Sequence, residues 1–180
     1  MVNELNVNKK TIRLMVEFIT DLPGMDGIVY YARPDLNLGS GFGTAISIQG
    51  GPKVQEELKK IGSAGTTDVV VTGGGNLQAK YILHAVGPRF QEEDSEAKLK
   101  ATMLNTLNIA QELKLQKLAF PAMGAGFYGI PLEVSARVTL EAAREFLEKA
   151  TDPKEVVFCL RDSREFKVFQ EYLQKMGGRI

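Results

Sequence analysis

The sequence predicts an α/β protein, a three-layer α/β/α sandwich around a central mixed, mostly parallel six-stranded sheet. Three observations predict it. Short apolar runs alternate with segments that carry a helical stripe, as strand–helix–strand units do. Several runs are apolar at successive positions, which suits a sheet covered on both faces. Glycines concentrate where a run ends and a helical segment begins, and that is where such sheets hold ligands.

In chain order, residues 11–19 (TIRLMVEFI) read as the first strand and residues 27–31 (GIVYY) as the second, ending before Pro34. Residues 44–49 and 52–61 read as two helical pieces broken at Gly50, Gly51 and Pro52. Residues 67–72 (TDVVVT) and 80–86 (KYILHAV) are rich in β-branched and aromatic residues and read as strands. Leu99, Met103, Leu107 and Ala110 form a helical stripe. Residues 117–120 (KLAF) are the next strand. Leu132, Ala136, Leu140, Ala143 and Leu147 mark a helix opened by Pro131, a residue suited to the first helical position. Residues 155–160 (EVVFCL) complete six strands, and Phe166, Phe169, Leu173 and Met176 stripe the last helix. Residues 1–10 read as a short N-terminal arm, and residues 11–180 as a single domain.

The chain has 180 residues, enough for one domain with a sizeable core. Lys and Arg total 22, matching 22 Asp and Glu, so the basic excess of a general nucleic-acid binder is missing. Cys159 is the only cysteine, which excludes an intrachain disulfide. One Cys and one His (His84) do not make a zinc site, and no metal or cofactor is expected. Residues 1–6 are polar, without an apolar leader core, and no run of about 18 apolar residues could span a bilayer. The expectation is a cytoplasmic protein without a membrane partner; oligomerisation is left open.

Two glycine clusters carry the chemistry. Gly39, Ser40, Gly41, Phe42 and Gly43 lie between the second strand and the first helix. Gly124, Ala125, Gly126, Phe127, Tyr128 and Gly129 lie between KLAF and the helix opened by Pro131. Glycine there lets backbone N–H groups turn inward and lets a phosphate approach, and a following helix N-terminus adds free donors. Two such loops suit a diphosphate held from both sides, although either alone reads equally well as a tight turn. The second loop also matches G-x-G-x-x-G, but the acidic residue a dinucleotide site needs about 20 residues on is missing near Lys149. A third cluster, Gly73, Gly74 and Gly75, reads as a strand connection bordering the pocket.

These residues resemble a known family. Residues 120–133 (FPAMGAGFYGIPLE) are similar to the macro-domain signature, in which a strand ending in F-P enters a G-x-G-I-Y-G loop. Residues 72–88 (TGGGNLQAKYILHAVGP) resemble the family's T-x-G-x-N-L-x-x-x-Y-x-I-H-x-V-G-P, and residues 36–46 resemble its first glycine loop and helix. The resemblance implies a macro-like domain with a cleft for ADP-ribose. It implies phosphate loops at residues 39–43 and 124–129, with Phe127 and Tyr128 walling the ribose and diphosphate.

The departures from the family pattern fall at ligand positions. Many members carry G-D-I-T after the first strand, where the Asp accepts from the adenine amino group; here Phe18, followed by Ile19, stands in its place. The usual N-A-A-N after the second strand is Tyr30, Tyr31, Ala32, Arg33, so Arg33 replaces the Asn that orients the distal ribose in hydrolytic members. No Asp stands in the first loop. Leu160 matches the aromatic residue that stacks on adenine. Glu17 would reach the adenine side only after a one-residue strand shift. His84 and Cys159 read as structural, and Asp35 as a turn residue after Pro34.

The reading that results is a module binding ADP-ribose or a related nucleotide diphosphate, free or on an ADP-ribosylated protein, with weak or no hydrolase activity. Two alternatives stand beside it. One is an ADP-ribosyl or O-acetyl-ADP-ribose hydrolase with a rewired set drawn from Arg33, Asp35 and Tyr30. The other is an interaction or oligomerisation module whose pocket is filled by Phe18, Tyr30 and Arg33.

Overall fold

In the computed structural model, which describes residues 3–39 and 41–177, seven strands form one sheet in the order β1-β2-β7-β6-β3-β5-β4. The strands are β1 (Glu4–Val7), β2 (Lys10–Val16), β3 (Gly27–Tyr31), β4 (Val69–Gly73), β5 (Tyr81–Ala85), β6 (Lys117–Phe120) and β7 (Glu155–Leu160). β1 and β4, at the two edges, run antiparallel to their neighbours, and every other pairing is parallel. The seventh strand comes from the segment read as an arm. Asn8 and Lys9 both take positive φ, the two-residue turn that suits a tight hairpin, and fold β1 back along β2.

Side-chain alternation sorts the strands into two cores. Val156, Phe158 and Leu160 of β7 join one apolar cluster with Val29, Tyr31, Leu118 and Phe120. That cluster is covered by α3 (Ser95–Glu112), α4 (Leu132–Lys149) and α5 (Ser163–Lys175). Val157 and Cys159 of β7, Ile28 and Tyr30 of β3, and Ala119 of β6 face the other way. There they meet Ile46 of α1 (Phe42–Gly50) and Val54 and Leu58 of α2 (Pro52–Ile61). The result is a sheet buried on both faces, as its near-continuous apolar runs require.

β2 stops at Val16 rather than running to Ile19. Glu17 still donates its N–H to Leu160 O (3.2 Å), but Phe18 N–H turns back onto the Glu17 carboxylate (3.0 Å). Residues 19–21 then form one 3-10 turn, closed by Asp21 N–H to Phe18 O (2.9 Å). No helix among the described residues is long and apolar enough to cross a membrane.

Candidate functional site

The parallel strands β2, β7, β6 and β3 all end on one side of the molecule. The loops leaving them enclose an open cleft of about 490 Å³. Glu17, Phe18, Ile19 and Thr20 line it after β2, and Cys159, Arg161 and Glu165 line it at the end of β7. Pro121, Ala122 and residues 124–128 contribute the side after β6; Tyr30, Tyr31, Gly41, Phe42 and Ala45 close the remainder. The volume falls within the usual range for small-molecule sites.

Both glycine clusters shape this cleft. Gly41 has φ 63° and immediately precedes α1; Gly41, Phe42 and Ala45 line the cleft, and no side chain among the described residues caps the first N–H groups of that helix. In the second loop Gly126 has φ 80° and starts a single 3-10 turn over Gly126–Tyr128. The N–H groups of Gly126 and Phe127, first in that turn, have no acceptor within it. The loop is fixed from outside: Ile130 N–H donates to Gly124 O (3.1 Å), and the buried Ser135 hydroxyl of α4 donates to Met123 O (2.7 Å). Phe127 stands 82% exposed at the rim, with the Arg89 guanidinium 5.6 Å from its ring centre.

The tyrosines act as walls. Tyr30 donates its hydroxyl to Leu38 O (2.8 Å), and burial pushes its ionisation up to about 12. Tyr31 donates to Pro88 O and packs edge-on against Tyr128, 4.7 Å between centres; burial raises the ionisation of both. Tyr30 and Tyr31 belong to opposite cores, yet both reach the cleft, because β3 ends beneath it.

General-base chemistry finds little support among these groups. Burial pushes the Cys159 thiol up to about 12, with the Glu17 carboxylate adding to the effect, so the thiolate is scarce at neutral pH. His84 is buried behind Tyr30 with its ring 6.0 Å from the tyrosine's, and burial lowers it to about 4. Thr72 donates its hydroxyl to Gly73 O (3.0 Å), which leaves its oxygen to accept from His84 Nε2 (2.9 Å). Asp35 is ion-paired with Arg33 (Oδ2 to Nη2, 2.7 Å) and accepts the Asn37 N–H (2.9 Å). That backbone bond first, and the arginine second, hold its carboxyl below the usual range.

The structure brings Phe18, Ile19, Tyr30, Gly41, Phe42, Gly124, Ala125, Gly126, Phe127 and Tyr128 together at the cleft. Ser40 lies outside the described residues. Asp35 and Gly39 instead line a neighbouring depression with Lys59 and Gln55, and Arg33 pairs with Asp35 beside it. Gly43 is a packing residue: a Cβ there would lie 1.5 Å from Leu38 O and 2.6 Å from the Tyr30 hydroxyl. Gly129 turns toward Phe90 rather than the cleft. Leu160 is fully buried in the core under α4 and α5, so it is Cys159, one position earlier, that reaches the cleft.

Sequence reasoning set Glu17 aside for want of a strand shift, and missed Arg161 and Glu165; all three line the cleft. Arg161 follows β7 and donates from Nε (3.1 Å) and Nη2 (3.0 Å) to Glu165 Oε2, while its backbone N–H donates to Oε1 (2.9 Å). Asp162 caps α5 by accepting the Glu165 N–H (2.9 Å). The signal was present, since Asp162 and Glu165 have the spacing of a capping box at a helix start.

Comparison with known proteins matches the fold. The family model described as "Macro domain" matches residues 32–139. A macro domain-containing protein of Caldanaerobacter subterraneus is 36% identical over 174 residues, covering 93% of this chain and 98% of the relative. A variant of the Oceanobacillus iheyensis macrodomain, solved with ADPR, superposes with a TM-score of 0.92 at 26% identity, covering 98% of both chains. The Trypanosoma brucei macrodomain in complex with ADP-ribose gives a TM-score of 0.83 at 28% identity, over 89% of this chain and 68% of that one.

Proposed function

The chain belongs to the macro domain family, and from that premise we propose that its cleft binds ADP-ribose or a related nucleoside diphosphate, free or attached to protein, with weak or no hydrolase activity. The observation that carries the reading is the pair of glycine-bearing turns, Gly41 at the start of α1 and Gly126–Tyr128, that line one cleft. The backbone donors of such turns and a helix N-terminus suit a diphosphate. The solved relatives with ADPR and ADP-ribose support the same ligand class.

The low hydrolytic activity follows from what surrounds the ligand. A hydrolase needs a water and a group to polarise it. Cys159 and the tyrosines stay protonated at neutral pH, Asp35 is committed to Arg33 outside the cleft, and of the two lining carboxylates Glu165 is paired with Arg161 and Glu17 accepts the Phe18 N–H. The alternative of a pocket filled by its own side chains fits poorly with an open volume of about 490 Å³.

Calorimetric titration with ADP-ribose, ADP, AMP and pyrophosphate tests the reading. ADP-ribose, ADP and pyrophosphate are expected to bind, with AMP weaker. Absence of heat from all four overturns it. In parallel, release of ADP-ribose from modified protein should stay near the uncatalysed rate, and turnover abolished by Arg33→Ala or Asp35→Ala would instead favour the hydrolase.

A further inference from the structure

We propose that Phe18 and Arg161 form a stacking clamp for the base of a nucleoside diphosphate, one that accepts planar purines without selecting adenine; this rests on the diphosphate reading above. The two residues are brought together by sheet register. β2 and β7 are parallel neighbours with Val16 opposite Leu160, and Glu17 N–H bonds to Leu160 O (3.2 Å). The residues that follow each strand therefore emerge side by side at the rim of the cleft, and Phe18 and Arg161 both line it.

Arg161 is held in an unusual way. The carboxylate that grips it, Glu165, is 1% exposed and is itself set by the start of α5. Arg161 meets it through Nε and Nη2, in the plane of the guanidinium. Engaging that edge fixes the plane, while the side chain remains 66% exposed. The second glycine loop passes alongside, since a Cβ on Gly126 would lie 3.8 Å from Arg161 Nη2. An arginine that grips phosphate uses its forked N–H edge and its full charge. Here Glu165 occupies the Nε–Nη2 edge, both contacts falling on Oε2, and offsets the charge. What is offered to the cleft is a planar, weakly hydrated face, which suits an aromatic ring. Phe18, 71% exposed in the turn after β2, supplies a second such face.

Stacking reads the face of a base, which every base has, rather than its hydrogen-bonding edge. The Phe18 ring has no acceptor for an exocyclic amino group, and the Glu17 carboxylate is turned onto the Phe18 N–H through Oε1 (3.0 Å). A clamp of two flat faces reads no purine edge.

The test is calorimetry with ADP, GDP, IDP and pyrophosphate on the wild-type chain and on Arg161→Lys, Arg161→Ala and Phe18→Ala. The expected result is that ADP, GDP and IDP bind the wild type within about threefold of one another, and that each variant weakens all three about tenfold. Arg161→Lys, which keeps the charge and loses the plane, should fall as far as Arg161→Ala, and pyrophosphate should be unaffected by any variant. Because Phe18 is exposed, its variant reports on the clamp without touching the core. A preference for ADP over IDP above tenfold overturns the clamp and points to Glu17 reading an amino group. Arg161→Lys keeping wild-type nucleotide affinity, or Arg161→Ala weakening pyrophosphate, overturns it in favour of a phosphate contact. No binding of any probe by the wild type overturns the diphosphate reading and the clamp together.

Discussion

Gly43 and Cys159 show how much hangs on a single position. Gly43 sits in the first glycine cluster, yet its missing Cβ makes room for the Leu38 carbonyl and the Tyr30 hydroxyl. Gly43→Ala should therefore cost about 2–4 kcal/mol, seen as a lower urea midpoint, because backbone must move. An unchanged midpoint would contradict the packing role. Cys159 faces the cleft with a thiol pushed up to about 12 by burial. Thiolate is the reactive form, so a disulfide reagent at pH 8 should label the native chain at least about a hundredfold more slowly than the unfolded chain. Equal rates would contradict that burial. At this scale the sequence was legible where a type of residue decides, as with Phe18 in place of a carboxylate. It was illegible where parity decides. Leu160 and Cys159 are both apolar enough for either face, and only the sheet register places one in the core under α4 and α5 and the other in the opposite core, at the edge of the cleft.

Elements carry their own energetics. β4 and β5 are joined by the buried pair of Thr72 and His84, and burial lowers His84 from 6.5 to about 4. The unfolded chain therefore takes up this proton first as pH falls below about 6.5, so the contribution to stability is complete above that value and is lost toward pH 4. Lowering the pH from 7 to 4.5 should cost the wild type about 2 kcal/mol more than a His84→Gln variant, read from urea midpoints. Equal losses would show that His84 does not titrate in this way. α5 depends on Asp162, whose carboxylate caps it through the Glu165 N–H (2.9 Å). Asp162→Ala should lower the urea midpoint; nucleotide binding lost ahead of stability would show that the cap also steadies Arg161 through Glu165. Six of the strands and all five helices were readable from periodicity and glycine punctuation. The seventh strand was not, because residues 4–7 are short and half polar, and their pairing depends on the Asn8–Lys9 turn.

For the whole molecule, function follows from strand direction. Parallel strands deliver their loops to one side, and two glycine-bearing loops line the cleft there. That layout was legible because each glycine cluster falls between an apolar run and a helical stripe. The base end was less so, because Glu17, Arg161 and Glu165 meet Phe18 only through the β2–β7 pairing. The most direct test of the diphosphate grip is an amide NMR titration with ADP-ribose. The largest shifts are expected at Gly41, Phe42, Gly126 and Phe127, with Arg161 and Phe18 following. Shifts confined to the depression around Asp35 and Lys59, or no shifts at saturating ligand, would contradict it.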